Sequence, residues 1–163
     1  MLASLCGWLE KTPLSTFVQD AGWVIPLCQI VHILCLAAVM FSMLFLDVRV
    51  LTGAPRRVGV QALARRFLPP VWTAVPLMAL SGAVLIIGEP RRDLLNPVFQ
   101  LKMLLLVLAL ALTFALQKTI ADASLARGDG GEASWATQIT AGLSLITWLA
   151  IAVCGRFIAY FMG

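Results

Sequence analysis

Residues 23–46, "WVIPLCQIVHILCLAAVMFSMLFL", contain no aspartate, glutamate, lysine or arginine, and their reading sets the class of the whole chain. As a helix at 1.5 Å per residue they reach about 36 Å, enough to cross a hydrocarbon core of roughly 30 Å. Three further runs have the same character, and the four expected spans are residues 22–46, 71–88, 98–116 and 139–161. Composition agrees: of 163 residues, 61% are hydrophobic and 12% charged, with a mean hydropathy of +0.95. Soluble domains hold about 45–50% apolar and 25% charged residues. The expectation is an all-α integral membrane protein, one domain over residues 1–163, folded as an antiparallel four-helix bundle because short connections make sequential helices neighbours. The first run is longer than a signal-peptide core and no A-x-A-like cleavage site follows it, so it is expected to stay in the mature chain.

Basic residues orient the bundle. Arg49, Arg56, Arg57, Arg65 and Arg66 lie between spans one and two, and Lys118 and Arg127 lie after span three. The other side has Lys11, Arg91 and Arg92. Basic residues in short loops favour the cytoplasmic face, so both termini are expected to face outward, which in a bacterial inner membrane means the periplasm. The net charge of +4 is accounted for by these arginines, which suit anionic lipid headgroups; nucleic acid is not an expected partner. Residues 1–21 are amphipathic, with Thr12 as N-cap before Pro13, and are expected to form one or two short helices at the outer interface beside Trp8 and Trp23. Pro69-Pro70 is expected to open span two and Pro76 to kink it, while Ser81-Gly82 offers a small surface for close helix approach. Asn96 caps span three with Pro97 at its first position, and Gly128, Gly130 and Gly131 end its cytoplasmic extension.

The chain has a single histidine, His32, nine residues into span one and so about 13 Å along its axis. Counting in from the same side places Gln100 and Lys102 in the first turns of span three. Span four returns there with Arg156 and Tyr160. Gln29, His32, Lys102, Arg156 and Tyr160 are therefore expected in one polar layer in the outer half of the bundle. Ionisable groups at a helix centre cost roughly 2.5–3.5 kcal/mol on insertion scales and usually mark function. The bland alternatives are snorkelling for Lys102 and Arg156 and, for His32, a neutral imidazole bonded to Gln29 or a carbonyl.

Two ligand chemistries suit that layer. Cys28, His32 and Cys35 share one helix face at i−4, i and i+3, with Met43 further along the stripe; such a set, with Met40, Met78 and Met103 nearby, could take Cu(I). Free cysteine and methionine are also ordinary gap-filling residues. Alternatively His32 could be the axial ligand of a haem b, with Lys102, Arg156, Arg91 and Arg92 as cations for its propionates. One histidine then leaves the sixth position open, filled by a methionine, or supplied by a second chain.

"WVIPLCQIVHILCLAAVMFSMLFLDVRVL", "NPVFQLKMLLLVLALAL" and "SLITWLAIAVCGRFIAYF" resemble an uncharacterised bacterial family of four-helix inner-membrane proteins. Trp23, Pro26, His32, Asp47, Arg49 and Leu51 match its first-span pattern. Asn96, Pro97, Phe99, Lys102 and Met103 match the third, and Gly155, Arg156, Ile158, Ala159 and Tyr160 the fourth. More distantly, the first-span histidine with the third-span L-K-M-L-L start is similar to HemJ-type protoporphyrinogen oxidases and to CopD-type copper-uptake proteins. By that resemblance His32 would ligate haem b and Lys102 would hold a tetrapyrrole carboxylate. The further histidines of the HemJ pattern and the metal-binding clusters of copper carriers have no counterparts here.

Three functions follow: a redox-cofactor or tetrapyrrole protein, whose cationic layer would also accept quinone or lipid headgroups; a copper-binding or transport protein; and a non-catalytic structural or accessory subunit. No paired carboxylates, nucleophile–base pair or phosphate loop argues for a particular enzyme. Ser144 and Thr147 read as helix-packing hydroxyls, and Ala141, Ala152 and Gly155 along span four suit a homo-oligomer or a larger membrane complex.

Overall fold

The computed structural model describes residues 2–53, 59–127 and 134–157. In chain order the helices are α1 (Leu2–Leu9), α2 (Pro13–Asp20), α3 (Val24–Thr52), α4 (Val60–Gly88), α5 (Pro90–Leu94), α6 (Pro97–Arg127) and α7 (Trp135–Phe157). Four of them, α3, α4, α6 and α7, are long and apolar enough to cross a bilayer. The all-α four-helix membrane bundle is thus as expected, and α1 and α2 are the expected pair of short N-terminal helices.

Helix ends follow local caps rather than the apolar runs. No breaker interrupts α3 after Leu46, so it continues through Asp47 to Thr52 and stops at Gly53, whose φ of 57° only glycine adopts freely. The largest correction is at α4. Pro69 and Pro70 do not open the span; the helix starts eleven residues earlier than the expected Val71, after Gly59, and runs through Pro69, Pro70 and Pro76. The two prolines release the carbonyls of Arg65 and Arg66, both exposed residues where water or headgroups can satisfy them. Helix α6 starts as expected, with Asn96 Oδ1 accepting from the Val98 and Phe99 amides at 2.8 and 3.4 Å, and it runs on to Arg127. The glycines after Arg127 and the end of span four, residues 158–161, lie outside the described residues.

Helix α3 packs closely against α4 and α7, and α7 against α6, while α4 and α6 touch only sparingly. Around the bundle the order is α4, α3, α7, α6, each antiparallel to its neighbours. Trp72 Nε1 donates to Gln117 Oε1 at 3.1 Å, joining α4 to α6 at the end that carries Arg49, Arg65, Arg66 and Lys118. That end contains the packed core, with Met43, Leu46, Leu116, Trp148 and Ile151 fully buried. Large side chains such as Ile33, Leu34, Leu80, Leu104 and Ile146 stay exposed and face what would be lipid.

The other end is closed by the short helices. Thr12 caps α2, accepting from the Ser15 amide at 3.3 Å. Ser15 Oγ donates to the Ile87 carbonyl at 2.7 Å and Gln19 Nε2 to the Gly88 carbonyl at 2.9 Å, so α2 satisfies the open C-terminus of α4. Cys6, buried under α1, directs its thiol toward the Pro90 carbonyl at 3.7 Å. Gly88 lets α2 and α3 approach closely here, since a Cβ would sit 3.1 Å from Val18 and 3.3 Å from Ile25 and press on both.

Candidate functional site

A cavity of about 460 Å³ opens at the α5 end, walled by α3, α4 and α6 with contributions from α5 and α7. Its size falls within the roughly 300–1,000 Å³ of small-molecule pockets. Leu36, Val75, Leu106, Leu110 and Ile151 make an apolar wall, and Gln29, His32, Glu89, Arg92, Asp93 and Lys102 bring polar groups to it.

His32 is held from α4. Its Nδ1 lies 3.1 Å from Ser81 Oγ, and that hydroxyl donates its only proton to the Met78 carbonyl at 3.1 Å. With its proton on the Met78 carbonyl, Ser81 accepts from Nδ1–H, which is the tautomer that keeps the lone pair on Nε2. Gly82 admits the ring: a Cβ there would meet Cε1 at 3.3 Å. The small Ser81-Gly82 surface does serve close approach, and the group it receives is the imidazole itself.

Lys102 comes from the first turns of α6, which Asn96 and Pro97 start at the right level. Its Nζ lies beside α7, 3.8 Å from where a Cβ of Gly155 would be. Asp93 of α5 interacts electrostatically with Lys102. Burial pushes the Asp93 carboxyl above the usual carboxylate range, against the opposing pull of Arg92 and Lys102 and with a contribution from Glu89. Arg92 pairs with Glu89 on the cavity wall, whereas Arg91 turns to Glu10 of the N-terminal segment at 3.1 Å.

The structure thus brings Gln29, His32 and Lys102 together, as their depth suggests. Arg156 is exposed and does not line the cavity, so it leaves the expected cluster; it lies at the same level on the outside of α7. Tyr160 lies outside the described residues. The copper set does not assemble: Cys28 and Cys35 do not line the cavity, and Met43, about 16 Å from His32 by helix rise, is shut in the core at 1% exposure. Among the described residues no three of His, Cys, Asp and Glu gather as a metal would need. Met78 and Met103 do line the cavity. Ser81 as the imidazole's acceptor and Asp93 as the neighbour of Lys102 were not singled out from sequence. The signal for Asp93 was the short "GEPRRD" connection, which has to fold across the bundle end.

No family model matches the chain, and no curated protein or solved structure matches it either.

Proposed function

We propose that this protein binds an amphiphilic redox cofactor, haem b, in the cavity at the α5 end. The observation that carries this reading is the single imidazole, held between Ser81 and Gly82 on the wall of a cavity shared with Lys102. The donor set fits such a group. Metal-ligating histidines usually donate their second ring N–H to an oxygen acceptor, as Nδ1 does here. The Met78 and Met103 thioethers on the same wall would be further iron ligands to choose from, and Lys102 and Arg92 would hold the propionates. When bound, haem supplies one-electron chemistry; the chain's own part is to ligate through His32, orient the ring through Ser81, hold carboxylates through Lys102 and exclude water with the apolar wall. The similarity of the first-span histidine and third-span lysine to the HemJ-type pattern points the same way. With the arginine-rich end in the cytoplasm of a bacterium, the cavity faces the outer half of the inner membrane.

The test is the absorption spectrum of protein purified from haem-replete cells, with iron and copper analysis. A Soret band with stoichiometric iron, absent in His32→Ala, supports the reading. Colourless, iron-free protein that takes up no added haem overturns it, and lipid extraction then shows whether a quinone or phospholipid occupies the cavity instead.

A further inference from the structure

The seam between α3 and α7 holds a carboxyl that the cavity does not use. Asp47 is 0% exposed and lies fifteen residues beyond His32, about 22 Å further along α3. Both of its carboxyl oxygens are buried without a hydrogen-bond partner, and so is Ser144 Oγ on α7. Ser144 is the polar side chain close enough to act on Asp47, and among the described residues no charged group does so. Arg49 is two positions on, and residues at that spacing do not share a helix face. Around the same level α4 contributes Ala64, Leu68 and Val71 to the core, and α6 contributes Leu116 and Ile120, all apolar.

An ionised carboxylate in this place would be shut off from bulk solvent, with no cation among the described residues beside it and only the Ser144 hydroxyl to donate to it, a state that burial disfavours strongly. A hard metal cation is a poor solution, since Ca²⁺ and Mg²⁺ take about six or more oxygen ligands. Asp47 and Ser144 offer three side-chain oxygens, and the nearby Leu143 carbonyl is already engaged by Thr147 at 2.7 Å. One proton, by contrast, removes the buried charge and lets the two orphaned groups partner each other as neutral donor and acceptor.

We propose that Asp47 and Ser144 form a proton-binding site, in which the carboxyl is kept as the neutral acid and donates to Ser144 Oγ across the α3–α7 seam. Ionisable residues within membrane bundles commonly serve proton transfer. This one shares the bundle-facing stripe of α3 with His32, through Leu36, Val39 and Met43 at three- and four-residue spacing. The site stands independently of what the cavity binds. Giving up the proton would place an unpaired charge between two helices that otherwise pack tightly.

Infrared spectroscopy of the protein in phosphatidylcholine vesicles at neutral pH tests it. The expected wild-type spectrum contains a protonated-carboxyl C=O band that is missing from Asp47→Asn and moves to higher frequency in Ser144→Ala, where its hydrogen bond is lost. A wild-type minus Asp47→Asn difference showing only carboxylate stretches overturns the proposal, as does a band unmoved by Ser144→Ala. Replacing choline by sodium or calcium should leave the band intact; its disappearance would reassign the site to a metal ion. Asp47→Asn, neutral and of the same shape, should fold to the wild-type helical content, and failure to do so would mean that the charged form is required.

Discussion

Along α3, none of residues 24–38 is buried, whereas Val39, Met43, Leu46 and Val50 are all at 1% exposure or less. Helix α7 shows the same division in reverse: Ala141, Ser144, Trp148 and Ile151 are buried and no described residue after Ile151 is. The same helices therefore build two different interiors. At the α5 end they enclose a space whose polar groups can meet a ligand; at the arginine end they close on one another and seal a carboxyl away. Position within a membrane bundle does not decide what an ionisable residue can do. Whether its half of the bundle is open or closed does.

Truncations in the two halves should separate them most clearly. Trp148→Ala removes a buried ring whose Nε1 donates to Thr113 Oγ1 at 3.3 Å, and is expected to cost about 3–5 kcal/mol in a reversible unfolding titration in mixed micelles. Leu110→Ala only enlarges an existing void, so its expected cost is at or below the ~2 kcal/mol lower end for such changes. Equal costs would mean that the halves are packed alike. Next in size, Gly82→Val drives a side chain toward the imidazole and should weaken haem binding by about tenfold or more, equivalent to about 1.4 kcal/mol, while leaving the unfolding midpoint nearly unchanged. Loss of stability without loss of affinity would place the importance of Gly82 in packing instead.

Lys102→Gln should weaken an anionic ligand by a similar ~tenfold, with the salt dependence of binding reduced in a spectroscopic titration. The smallest effect concerns Asp93. Its carboxyl titrates above the usual range, so lowering the pH through that value removes a negative charge beside Lys102 and relieves a buried ion. Affinity for an anionic ligand should therefore rise as pH falls, by under roughly fivefold for a partly exposed charge, and Asp93→Asn should flatten the profile. A profile unchanged in that variant would assign the pH response to another group.

The four spans were legible because apolar runs of membrane length have few other readings. Their ends were not, since they depend on single residues: Gly53 and Gly59 mark helix boundaries well outside the apolar stretches, and Pro69-Pro70 looks like a start only because proline favours first positions. Counting residues from the interface found the level shared by Gln29, His32 and Lys102. It could not find the direction in which each side chain leaves its helix, and Arg156, at the same level, stays on the outside. Asp47 shows the converse. In sequence it marks a span boundary with charge nearby; in the fold, α3 continues past it and the neighbouring helices close over it.

The cap formed by α1 and α2 has a consequence for assembly. Ser15, Gln19 and Cys6 bond to carbonyls 72, 69 and 84 residues further along the chain. Residues 2–20 are thus unable to settle until the C-terminal end of α4 and the start of α5, made after them, are in place. Until then residues 2–20 lack those acceptors, so the cap closes late in the assembly of the bundle.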